Sequence, residues 1–134
     1  MKQEEHEEQV RVFTWARWAE ATYPELALLF AVPNGGRRDK VTAGRLKAEG
    51  VKAGVLDIWL PVARGRYHGL VIELKTRTGR LTPEQKAWIA ALTAQGWKAL
   101  MCRGAAATVA DIEWILNGAT ATDLPNLQKT LDIW

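Results

Sequence analysis

The stretch from Gly54 to Lys75, GVLDIWLPVARGRYHGLVIELK, constrains this chain more than any other. It reads as two apolar strands joined by a tight turn at Arg64-Gly65-Arg66. Three polar residues stand where a core strand carries none. Asp57 opens the first strand, Asp57–Val62, while Glu73 and Lys75 lie in the second, Gly69–Lys75. Side chains alternate along a strand, so Glu73 and Lys75, two apart, share one face. Hairpin pairing then brings Asp57 near Glu73 across the ladder. The expectation is a single polar pocket at a sheet edge, where two carboxylates and an ammonium converge.

The chemistry that uses such an arrangement is metal-assisted hydrolysis of a phosphodiester. Two close carboxylates repel each other, and a hard divalent cation relieves that repulsion. Mg²⁺ takes one or two carboxylates together with water and phosphate oxygens. The ammonium of Lys75 is placed to orient the attacking water or to stabilise developing negative charge. A solvent-exposed salt bridge between Glu73 and Lys75 is the competing reading; the upstream Asp57 and the apolar flanks argue for a site.

The run G-V-L-D-I-W-L followed by V-I-E-L-K resembles the PD-(D/E)XK nuclease signature, with Leu56 where that pattern usually has proline. More narrowly, the segment from Val32-Pro33-Asn34-Gly35-Gly36 through Leu81-Thr82-Pro83-Glu84-Gln85 resembles the VRR-NUC family in its short stand-alone form. The similarity extends over roughly residues 5–116. It implies an α/β, restriction-endonuclease-like fold, a mixed sheet flanked by helices. It also implies dependence on Mg²⁺ or Mn²⁺ and structure-selective cleavage of DNA, including branched and four-way junctions. In that reading Asp57 and Glu73 are metal ligands, the Leu74 carbonyl adds a third, and Lys75 is the catalytic base-like residue. The leading acidic residue of the family corresponds to Glu5 or Glu8, and a glutamine facing the site to Gln85. The Leu56 departure removes no ligand, since proline there shapes only the turn.

With 134 residues, 48% hydrophobic and 25% charged, the chain fits one domain (1–134, with a tail from 117). No apolar run approaches the ~20 residues that span a bilayer. The acidic start MKQEEHEEQ is unlike a signal peptide, so a cytoplasmic protein is expected. A single cysteine, Cys102, excludes an internal disulfide and a Cys-based zinc site and suits a small core residue. The net charge of +3 is compatible with DNA but does not require it. Its distribution says more. Arg37, Arg38, Lys40, Arg45, Lys47 and Lys52 cluster before the first site strand, and Arg64, Arg66, Arg77 and Arg80 stand in loops around it.

Along the chain, residues 5–21 predict a helix with Val12, Trp15, Ala16 and Ala19 on one face, which extends back to Gln9, Glu8 and Glu5. Leu26–Val32 predicts a short strand, followed by a Pro33-Asn34-Gly35-Gly36 turn in which Asn34 is a candidate site-lining group. Residues 39–49 predict a basic helix closed by Gly50, with Arg37, Arg38 and Lys40 as candidate DNA contacts. Thr82-Pro83-Glu84-Gln85 is a capping box opening a helix to Gln95 that buries Trp88, Ile89 and Leu92. Gln85 either caps and does nothing more or also faces the site. A strand at Trp97–Cys102 and a helix at Ala105–Asn117 complete the pattern. The apolar tail residues Leu124, Leu127, Leu131, Ile133 and Trp134 suggest a homodimer interface. The function expected is a metal-dependent DNA endonuclease; the alternative is a non-catalytic nucleic-acid-binding module on the same fold.

Overall fold

The structure, a computed structural model, describes residues 3–33 and 39–120. Candidate residues Asn34, Arg37 and Arg38 and the apolar tail from Leu124 onward lie outside the described residues. Helix α1 (Gln3–Ala19) is followed by a 3-10 helix (Pro24–Leu28) and strand β1 (Phe30–Ala31). Then come α2 (Lys40–Ala48), β2 (Ile58–Leu60), β3 (Leu70–Lys75), α3 (Pro83–Ala94), β4 (Lys98–Arg103) and α4 (Gly104–Leu116). The order of helices and strands is the expected one.

The strands form a single sheet in the order β1-β2-β3-β4. The expected hairpin is present: β2 and β3 run antiparallel with Ile58 opposite Ile72 and Leu60 opposite Leu70. Its turn closes through reciprocal main-chain hydrogen bonds between Arg64 and Tyr67, with Gly65 at φ 54°. β4 then adds to β3 in parallel, Glu73 opposite Met101 and Lys75 opposite Arg103. This parallel partner makes β3 a central strand, so the polar pocket is at the end of the sheet's middle and not at its edge.

Alternation along β3 divides the core. Leu70, Ile72 and Leu74 join Val12, Ala16, Leu100, Ile112 and Ile115 on the face covered by α1 and α4. Val71 packs on the opposite face with Leu56, Ala99 and Ile89 of α3. Glu73 and Lys75 continue the Val71 face past the point where apolar packing stops.

Residues 26–32 do not form one strand. Pro24 starts a 3-10 turn in which the Leu26 amide donates to the Tyr23 carbonyl and Leu29 to Leu26. Leu26 and Leu29, three apart, then both reach the core, which an extended strand would not allow. Helix α1 ends at Ala19, before Tyr23-Pro24, as the chain turns through Glu20–Thr22. Trp88 is only half-buried, its indole N–H donating 3.0 Å to the Ala53 carbonyl. Cys102 is a core residue as expected, its thiol 3.0 Å from Oδ2 of Asp111.

Candidate active site at the end of the central strand

The register that sets Ile58 opposite Ile72 sets Asp57 opposite Glu73, one step beyond the last paired residues of β2. Asp57 is 8% exposed and Glu73 3%. The Asp57 carbonyl accepts from the Val32 amide at 2.8 Å, which continues the ladder from β1. Its side chain turns the other way: Oδ2 accepts from the Leu74 amide at 3.1 Å. The Asp57 carboxylate therefore takes the place of a β2 main-chain acceptor where β2 has ended. The Leu74 carbonyl shares the strand edge that its amide faces, which is the edge turned toward Asp57.

Glu73 is held from two sides. Lys75 Nζ lies 3.4 Å from Glu73 Oε2, and that oxygen also accepts from Gln85 Nε2 at 3.0 Å. Gln85 does more than cap: it completes the capping box and also meets Glu73. Its Oε1 accepts from the Thr82 amide at 2.9 Å and its amide donates to Thr82 Oγ1 at 3.1 Å. The capping box thereby fixes which end of the side-chain amide points inward, and the NH₂ is left to meet Glu73. Gly54 lets this helix start sit so close: a Cβ there would lie 2.5 Å from the Glu84 Cβ, and its φ is +80°.

Burial pushes the Glu73 carboxyl up to about 8, with the neighbouring Asp57 charge acting the same way and Lys75 opposing. Burial also raises Asp57, against the pull of Glu73, the Leu74 amide and the Lys75 ammonium. Near neutral pH the bare pair therefore keeps a proton on Glu73. Glu73 Oε1 is buried and has no hydrogen-bond partner among the described residues. Two desolvated carboxylates, one with an orphaned oxygen, form a donor set for a hard cation, which would displace that proton. Among the described residues no three His, Cys, Asp or Glu side chains gather into a metal cage. The donor set fits an ion that completes its shell with water and phosphate, as Mg²⁺ does.

The two candidate glutamates on α1 separate cleanly. Glu8 is engaged elsewhere: its Oε2 accepts from the Ala105 amide at 3.0 Å, at the start of α4, and its Oε1 lies 3.5 Å from Arg11. Glu5 approaches the pair: its charge acts on Asp57, and its Oε1 and the Lys75 stem flank Gly79, 3.4 and 3.1 Å from where a Cβ would stand. Gln9, on the same face, has a buried Oε1 with no hydrogen-bond partner among the described residues. Lys40, the described member of the expected DNA contacts, is the exposed first residue of α2. Arg64 is tied up in an ion pair with Glu25.

The Thr82 amide anchors Gln85 as the capping box in the sequence predicts, whereas sequence reasoning missed the steric need for Gly54, whose signal is the glycine before V-L-D. That reasoning also missed Glu8 as a cap for α4, since nothing local in either segment links them.

No curated protein matches the chain. A solved structure named "VRR_NUC domain protein" superposes with a TM-score of 0.73 at 28% identity, covering 88% of this chain and 92% of that one. The mixed sheet flanked by four helices is thus a restriction-endonuclease-like α/β fold. A family model described as "VRR-NUC domain" matches residues 4–106, with Asp57, Glu73, Lys75 and Gln85 inside that span, and the chain belongs to this nuclease-type family.

Proposed function

We propose that this protein is a divalent-metal-dependent deoxyribonuclease that cuts branched or otherwise irregular DNA. The observation that carries the reading is the buried Asp57–Glu73 pair, with an orphaned Glu73 oxygen and the Lys75 ammonium beside it. Burying ionisable groups is costly, and a purely scaffolding strand end has no use for three of them side by side. Asp57, Glu73 and the Leu74 carbonyl would hold Mg²⁺ or Mn²⁺. When bound, that ion polarises the phosphate and lowers the pKa of a coordinated water.

The remaining work falls to the chain. Asp57 is fixed by the Leu74 amide at Oδ2, which holds its carboxylate beside Glu73. Gln85 holds Glu73 in place through its amide and needs no charge to do so. Lys75, 12% exposed at its side chain, sits where a compact ammonium can orient water or stabilise the charge on the phosphate. Glu5 joins from α1 as the leading acidic residue. The exposed cations Lys40, Arg45, Lys47 and Lys52, together with Arg37 and Arg38, supply the sequence-independent attraction to the DNA backbone.

Action inside the cell and assembly as a homodimer complete the reading. Two opposed cuts in a junction need two centres in fixed geometry, which a twofold pair provides. Among the described residues no helix is long and apolar enough to cross a membrane. Incubating the protein with linear, flapped and four-way DNA, with each metal and with chelator, tests the activity. Metal-dependent cutting that favours the branched substrates is expected; intact DNA in every lane contradicts it.

A further inference from the structure

Beside the carboxylate pair is a cleft of about 810 Å³, walled on one side by α2, on the other by the start of α3, and closed below by the 51–55 loop. Asp57 and Gln85 are part of its lining, so the cleft opens directly onto the candidate centre. Its volume is that of a pocket for one small organic ligand and is far too little for a duplex. Ala43, Leu46 and Val51 give it apolar walls, and Lys47 and Lys52 contribute cationic ones. Neither lysine has an ion-pair partner among the described residues. The acid on the opposite wall is Glu84, at the first turn of α3.

The wall that α2 forms is unusual. None of its residues is buried, and Leu46 alone is half-buried. Val41 is 71% exposed and Val51 45%. A nine-residue helix that buries nothing has little tertiary support, since helices of that length are held chiefly by packing of one face. A ligand in the cleft would cover the apolar surface that the protein itself leaves open.

We infer that this cleft is a subsite for one unpaired nucleotide of the strand being cut, its base between Leu46 and Val51 and its flanking phosphates on Lys47 and Lys52. The inference rests on the nuclease reading and makes it more specific. An apolar slot with cations at its rim matches a flat base joined to anionic linkers. Walls on both sides exclude the complementary strand, so the base has to leave its partner. That costs a few kcal/mol in paired DNA and much less at a bulge, flap or branch. Preference for irregular DNA then arises beside the scissile phosphate, within one subunit.

The test separates binding from hydrolysis. Affinities are measured in EDTA for a duplex carrying 2-aminopurine in a one-nucleotide bulge and for the same sequence fully paired. The wild-type protein should bind the bulged DNA at least about tenfold more tightly, with a change in 2-aminopurine emission on binding. Ala43→Trp, which fills the cleft from an exposed helix position, and Lys52→Glu should each bring that ratio to within about twofold of unity. Equal wild-type affinities, or an undiminished ratio in both variants, overturn the subsite. Cleavage with metal is scored separately. Cutting without bulge preference leaves the nuclease and removes the subsite, whereas bulge preference without cutting keeps the subsite on a binding module.

Discussion

The two helices that face each other across the cleft are built in opposite ways. α3 is locked: Thr82 and Gln85 complete a capping box, Pro83 opens its first turn, and Ile89 is buried against Leu56 and Val71. α2 has the Asp39 side chain accepting from the Thr42 amide at 2.7 Å as its cap, and no buried residue. The contrast follows from what each wall must do. Gln85 meets a buried carboxylate at 3.0 Å, and a small displacement would break that hydrogen bond. In the proposed subsite α2 would carry cations toward a ligand whose shape varies, and long flexible side chains on a helix without buried residues suit that task.

The first way to break the comparison is to remove the charge that α3 serves. Glu73→Gln and Asp57→Asn should each lower DNA cleavage by roughly a thousandfold or more while circular dichroism stays unchanged. Asparagine is the cleaner probe at 57 because its carbonyl can still accept from the Leu74 amide. Asp57→Ala would leave that amide unpaired, at a cost of about 1–3 kcal/mol.

A second test sets the two walls against each other with one substitution type. Gly54→Ala places a methyl 2.5 Å from the Glu84 Cβ at a φ of +80°, and should destabilise the fold by about 2–4 kcal/mol in urea titrations. Gly44→Ala in α2 meets nothing within 4 Å and should be neutral or stabilising, by at most about 1 kcal/mol. Equal effects at both positions would erase the distinction between the helices.

The proton on Glu73 gives a pH signature. Its folded pKa, about 8, is above the ordinary 4.5, so the native state keeps a proton that the unfolded chain has released. Stability in chelator should therefore fall as pH rises from about 5 to 8, by on the order of a few kcal/mol. The loss should be largely absent in Glu73→Gln, as thermal melts across that range would show. A smaller effect is expected for Gln85→Ala, which removes one partner of the capping box and the Glu73 hydrogen bond. It should cost about 1 kcal/mol and lower the melting temperature by several degrees.

Much of this was legible because it is local. The i, i+2 spacing of Glu73 and Lys75, the Thr82–Gln85 box and the Val12–Ala16 face are written in consecutive residues, and each occurs as expected. What was not legible depends on distant partners. The central position of β3 comes from its parallel pairing with β4, and no pattern within either strand encodes it. The division between Glu5 and Glu8 depends on where α4 begins, since the Ala105 amide is what draws Glu8 away. The misread strand at 26–32 did carry a signal: Pro24 followed by leucines at 26 and 29 is the spacing of a tight helix rather than of a strand. α2 reads in sequence as a basic helix with candidate phosphate contacts, and its complete lack of buried residues appears only once the sheet is assembled.

The most direct test of the Asp57–Glu73 centre is single-turnover cleavage of a labelled four-way junction by wild type and Glu73→Gln, in Mn²⁺ and in EDTA. Cutting by wild type in Mn²⁺ alone, with Glu73→Gln slower by about a thousandfold at matched DNA binding, is the result this account predicts. A Glu73→Gln protein that cuts at the wild-type rate would place the chemistry elsewhere and contradict it.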